Sequence, residues 1–229
     1  MNTTMPPIVP LLLVLSLALL IFSFYRASGN NIKLVALIVL VTLVQGLLAY
    51  FGFYTSFDVS PPRIPLLVMP SFLLIIITYL SASGKRFLDQ IDQAWLTFSH
   101  IIRFPVELVL YWLFLKGMVP ELMTFEGRNF DILSGLSAPF LAYWAYVKKR
   151  VGPRWLLLWN FICLGLLLNI VLHAILSAPS PFQQLSFDVP NTGVFYFPYA
   201  WLPSIIVPLV FLSHLICIRQ LMHELKREA

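Results

Sequence analysis

The feature that most constrains this chain is a succession of apolar stretches, such as IVPLLLVLSLALLIF and LVALIVLVTLVQGLLAYF, that leaves little sequence between them. In hydrocarbon every backbone N–H and C=O must be bonded within the protein, so only helices and closed barrels can span a bilayer. Barrel strands need about 10 residues of alternating polarity, whereas a spanning helix needs about 20 continuously apolar ones. The pattern here is the second. The fold class it predicts is all-α: a polytopic integral membrane protein forming one transmembrane helical domain over 1–229.

Seven segments are long or apolar enough to cross, at about 7–25, 34–54, 64–82, 95–118, 132–147, 155–176 and 201–218. The fifth, ILSGLSAPFLAYWAYV, is near the lower length limit, and its small residues Ser134, Gly135, Ser137 and Ala138 predict close packing against a neighbour. Only 11% of residues are charged, against about 25% in soluble domains. The net charge of +5 does not point to nucleic acid, because the basic residues lie between apolar runs and form no single patch. Cys163 and Cys217 sit inside apolar runs, as core residues rather than a disulfide framework. The first run lacks a preceding basic residue and a small-residue cleavage site, so it reads as an uncleaved span rather than a signal peptide.

Lysine and arginine set the orientation. With the N-terminus outside, eleven of the fifteen fall in the inner segments, as the positive-inside rule requires. The expected topology is N-out, C-in. Two outer loops, TSFDVSPPR and LSFDVPNTG, share SFDV and are each followed by a Pro-Ser pair, Pro70-Ser71 and Pro203-Ser204. They mark a possible 3+1+3 parallel repeat around the fourth span, and a chance match in a biased composition stands against it.

The fourth span carries the chemistry. At about 100° per residue, Thr97, His100, Arg103, Glu107 and Tyr111 share one face, opposite Ile102, Val106, Val109 and Leu113. A charge at mid-span costs about 2.5–3.5 kcal/mol, so such groups face a bundle interior and pair. Arg103 and Glu107 are four residues apart, within reach of one another. Pro105 between them leaves the Ile101 carbonyl without its helical donor and predicts a kink. Beyond this span, VPELMTFEGRNFDILSG concentrates Glu126, Arg128, Asn129 and Asp131. Asn129 or Asp131 capping the next helix, with Arg128 paired to Glu126 or Asp131, is one reading; a polar outer lid above an Arg103/Glu107 cavity is the other.

On the sixth span, Asn160 and Cys163 share one side, while Asn169 and His173 lie roughly opposite, in the outer half and within reach of the same cavity. His100 and His214 sit at similar depth on different helices, but no metal-ligand motif accompanies them; the plainer reading is interhelical hydrogen bonding, with no metal or cofactor. The run RFPVELVLYWLFLKGMVPELMTFEGRNFDILSGLSAP is similar to a segment shared by a family of uncharacterised bacterial multi-pass membrane proteins. That resemblance implies an inner-membrane location and brings no activity, substrate or cofactor.

Three functions follow. The leading one is binding or translocation of a small polar or anionic solute through a cavity lined by the fourth span. There His100, Arg103, Glu107, Tyr111, Asn169 and His173 would bind solute or couple protons, and Glu126, Arg128, Asn129 and Asp131 would gate the mouth. A membrane-embedded enzyme acting on a lipid or isoprenoid is the alternative, with Glu107 or His173 as acid/base. A structural or assembly role, in which the charges only fix packing, is the third. The chain reads more as a binding protein than an enzyme. Its partners are the lipid bilayer and a small-molecule ligand, without nucleic acid, and a homo-oligomer is compatible with the sequence.

Overall fold

The computed structural model of the chain describes residues 5–57, 59 and 63–228. The described residues contain helices and no strand. The helices are α1 (Ile8–Ala27), α2 (Ile32–Tyr50), α3 (Ile64–Leu80), α4 (Ala82–Leu88), α5 (Gln93–Ser99), α6 (Arg103–Leu115), α7 (Ile132–Ala142), α8 (Pro153–Ser177) and α9 (Val207–Glu228). A 3₁₀ turn at His100–Ile102 joins α5 to α6, and π turns at Tyr143–Val147 and Leu202–Ile206 extend α7 and precede α9. Every apolar segment read from the sequence is thus a helix. Five are long and apolar enough to cross a membrane, or six if α3 and α4, bent by 96°, count as one span.

Side-chain caps set several starts. Asn31 accepts the amides of Lys33 and Leu34 at the head of α2, and Asp92 accepts that of Ala94 at the head of α5. The helix ends collect on two opposite faces. On one, the amide of Asp92 donates to Ala27, Gln220 reaches the carbonyls of Leu88 and Ile91, and Arg219 pairs with Asp89. On the other, the amides of Thr192 and Gly193 donate to Met118, and Arg63 reaches the Phe53 carbonyl.

The α5–α6 unit runs through the middle. Its apolar face, Ile102, Val109 and Leu113, is fully covered, and α1 packs along the unit with Val9, Leu13 and Leu20 completely buried. By contrast α2, α3 and α8 leave Leu40, Leu43, Ile76, Ile77, Leu168 and Leu172 more than half exposed or close to it, an apolar outer surface suited to lipid. The expected kink at Pro105 takes the form of the tightened 3₁₀ turn. The amides that follow it bond back to the carbonyls of His100 and Ile101, which supplies the donor that Pro105 lacks.

A second proline is compensated from another helix. Pro208 denies the Ser204 carbonyl its i+4 amide, and the Ser71 hydroxyl donates to that carbonyl instead. The two Pro-Ser pairs noted in the sequence therefore meet. Of the first SFDV match, Asp58 lies outside the described residues.

Candidate functional site

The polar stripe of the central unit divides into two corners. Arg103, on the first residue of α6, is only 3% exposed and does not pair with Glu107. Its Nε donates to Asp131 Oδ2 at 2.6 Å, and its Nη2 donates to Asp131 Oδ1 in a two-point, charge-assisted pair. Nη2 also reaches the Cys163 carbonyl on α8 at 3.0 Å, and Nη1 lies 3.0 Å from Nε2 of His214 on α9. The expected Arg103–Glu107 pair is thereby corrected. Within one helix only i+4 geometry is available, whereas Asp131 arrives from another helix end and presents both oxygens to the guanidinium fork.

Gly135 makes that arrival possible. A Cβ there would stand 2.4 Å from the Phe104 amide nitrogen, so only glycine lets α7 come this close to the start of α6. Buried Ser134 and Ala138 extend the close-packed face, as their size predicted.

His214 is held from both sides. Asn160 donates its Nδ2 to the Leu156 carbonyl at 2.9 Å, which leaves Oδ1 as the acceptor 2.9 Å from His214 Nδ1. Nδ1 therefore carries the hydrogen, and the Nε2 lone pair receives Arg103. His100 stacks on this imidazole with ring centroids 4.0 Å apart and an interplanar angle of 17°, and Trp159 meets His100 edge-on. Both His214 nitrogens are engaged, whereas neither ring nitrogen of buried His100 has a hydrogen-bond partner.

Glu107, one turn further along α6, has other surroundings. Asn129 donates its Nδ2 to Glu107 Oε1 at 2.6 Å and to the Met123 carbonyl at 3.1 Å, while its Oδ1 accepts the amide of Asp131. Glu107 Oε2 has no hydrogen-bond partner, although the residue is 1% exposed. Asn129 and Asp131 are themselves buried, so they are not a lid above the bundle. The segment after Gly117, whose φ of +65° turns the chain, dips between the helices to the level of Glu107, about 12 Å below the end of α6 at 1.5 Å per residue. This inserted stretch takes up depth a helix would otherwise fill, and explains why α7 with its π turn is short. Neither Asn129 nor Asp131 caps α7 through its side chain. Arg128 pairs with neither acid, since the ion pairs among the described residues are Arg103–Asp131 and Arg219–Asp89.

Glu126 and Arg128 stay exposed at the rim, where Glu126 accepts from the Tyr111 hydroxyl at 3.1 Å and the Arg128 carbonyl accepts from Asn169. His173 bonds back to the Asn169 carbonyl. Tyr111, Asn169 and His173 are not brought to Glu107, which corrects the expectation that they share one cavity.

A cavity of about 160 Å³ does lie beside Glu107. Its walls come from α3 (Leu67, Val68), α6 (Val106, Leu110), α8 (Ile170, Val171, Ala174) and the Leu202–Val207 stretch. Apart from Glu107, the polar residues in the wall are Asp131, whose oxygens face Arg103, and Asn191. Arg103 is not in the wall. Asn191 was missed in the sequence because PNTG reads as a turn, and no periodicity marks a loop residue that folds back onto α8. Its amide donates to the Ser177 carbonyl at 2.8 Å and its Nδ2 to Ala174 at 3.2 Å, leaving Oδ1 without a partner.

An all-α body with apolar outer helix faces and an ion pair shut inside has the make-up of a multi-pass membrane protein. The chain belongs to the family described as Domain of unknown function (DUF8737), whose model matches residues 62–222. The matched stretch contains both corners and the whole cavity, and leaves out α1 and α2. No curated protein and no solved structure matches the chain.

Proposed function

We propose that this is a membrane protein that binds a small, largely apolar molecule drawn from the bilayer in the cavity between α3, α6, α8 and the Leu202–Val207 stretch. The observation that carries this reading is the character of the wall: about 160 Å³ lined almost wholly by apolar side chains, with Glu107 and Asn191 as its polar points not already committed. Apolar cavities of about 150 Å³ stay dry and take up molecules the size of benzene. Translocation of a polar or anionic solute has less support. The cation that would hold such a solute is turned to Asp131, His214 and Cys163. The enzyme reading lacks a second uncommitted acid/base group in the wall, since Asp131 is bound to Arg103 and His173 lies elsewhere.

In this proposal the chain crosses the cytoplasmic membrane seven times, N-terminus outside, with Ile132–Val147 as the short fifth crossing. Two features support it: successive helix ends alternate between opposite faces, and Arg26, Lys85, Arg86 and Arg219 lie on or next to the same face. The 3+1+3 arrangement belongs to the same reading, supported by the meeting of Ser71 with Ser204.

The test is photolabelling in lipid vesicles with a short alkyl diazirine, followed by peptide mass spectrometry. Adducts on Leu110, Val171 or Ala174 are expected, and Ala174→Phe, which fills the cavity, should remove them. Adducts confined to outer residues such as Leu168 and Leu172 would overturn the proposal.

A further inference from the structure

The chemistry of the cavity's ligand can be taken one step further, resting on the binding reading above. Two of the wall's side-chain oxygens are without partners: Asn191 Oδ1, an acceptor, and Glu107 Oε2, which accepts when the carboxyl is ionised. Asn191 has spent its donor on the Ala174 carbonyl, which fixes the amide with Oδ1 left over. Asn129 likewise spends its Nδ2 on Glu107 Oε1, and Oε2 is left over. Glu107 and Asn191 are each 1% exposed, so bulk water does not serve these oxygens. Buried polar atoms without partners are uncommon in native proteins and call for a reason.

A chain of contacts links the two residues. Asn129 ties Glu107 to the Met123 carbonyl, the Ser177 hydroxyl contacts the Met123 sulfur at 3.7 Å, and the Asn191 amide bonds to Ser177. Met123, in the middle of this chain, is itself a wall residue, so the contacts run along the cavity wall from Glu107 to Asn191.

Charge points the same way. The buried groups are one guanidinium and two carboxyls, and Arg103 gives Asp131 its two-point pair. Glu107 is left without a cation of its own. A carboxylate or phosphate head entering here would meet the Glu107 carboxyl and the Asn191 carbonyl oxygen, with the nearest cation already occupied.

We infer that the site takes an amphiphile whose head donates hydrogen bonds, an aliphatic amine or alcohol, with the head at Glu107 and Asn191 and the hydrocarbon among Val68, Leu110, Val171 and Ala174. The volume holds the head and a short stretch of chain. A longer tail leaves between α3 and α8, both of which line the cavity, past half-exposed Ile175.

The experiment uses four diazirine probes of equal chain length ending in an amine, an alcohol, a carboxylic acid or a methyl group, with the full-length protein in vesicles. The amine or the alcohol should label cavity peptides roughly tenfold more than the acid and the methyl-ended probe, the ratio that one buried hydrogen bond to a charged partner supports. An amine that outdoes the alcohol means an ionised Glu107; equal labelling by the two means that hydrogen bonding suffices; both support the inference. Glu107→Gln places an N–H donor where Oε2 stood, and Asn191→Leu removes the second acceptor, so each should bring the donor-to-methyl ratio toward one. Equal labelling by all four probes would overturn the donor-head inference and leave the apolar cavity reading intact. Labelling of the cavity by none of them would overturn both.

Discussion

Arg103 and Glu107 stand one helical turn apart on the same helix, in the same buried stripe, and the bundle treats them differently. Four of Arg103's five N–H donors are engaged by three different segments of the chain. Glu107 has one oxygen bonded and one not, and borders a cavity that Arg103 does not reach. A buried charge whose bonding is completed by other helices is a packing device. A buried carboxyl with an unused oxygen beside an apolar cavity is, in the binding proposal, the recognition element. Intramembrane charge is often taken as a mark of function, and here only one of two neighbouring charged residues fits that description.

Substitutions at the two corners break the comparison most strongly. Asp131→Asn leaves the Arg103 charge buried without its counter-ion and should cost about 3–5 kcal/mol in denaturant unfolding measured in detergent micelles. Glu107→Gln keeps the oxygen that accepts from Asn129 and should cost less than about 1 kcal/mol in the same measurement. Equal losses would erase the distinction. Next comes Gly135→Leu, which forces α7 away from Phe104 and loosens the Arg103–Asp131 contact; about 1–3 kcal/mol is expected from the overpacking alone.

Smaller effects sharpen the cavity side. Ser71→Ala leaves the Ser204 carbonyl without the donor that replaces Pro208, next to the π turn that forms one wall, and should cost about 1 kcal/mol. The least effect belongs to the Asp89–Arg219 pair at the basic face, where the hydrogen bonds from Arg219 hold the Asp89 carboxyl below its usual range. A depressed carboxylate stabilises the fold above its unfolded pKa of about 4, and the contribution is lost as pH falls through the folded value. Wild type should therefore lose under about 1 kcal/mol more than Asp89→Asn between pH 6 and pH 3.

The helices were legible in the sequence because apolar length alone dictates them in a bilayer. The need at Ile101 was legible too, since Pro105 removes a specific donor, and the 3₁₀ turn meets it. The partner of Arg103 was not. Glu107 is the neighbour a helical wheel displays, whereas Asp131 is 28 residues away and reaches it only because the intervening loop sinks into the bundle. Nothing in the polarity of FEGRNFD distinguishes a segment that rides on the surface from one that plugs the interior. Asn191 was hidden for a related reason: a turn-forming dipeptide gives no sign that its side chain returns to a helix end. Tyr111, Asn169 and His173 fell on plausible faces, yet the structure turns them to the rim.

The central claim is that Arg103 and Asp131 hold the bundle together while the neighbouring cavity does the binding. The most direct measurement is diazirine labelling of the double variant Arg103→Met/Asp131→Asn, in which both charges are removed together, alongside its unfolding curve. The account predicts a variant that is more stable than Asp131→Asn alone and still labels at Leu110, Val171 or Ala174. A variant that folds and yet loses cavity labelling would place the Arg103–Asp131 pair in the binding site and contradict it.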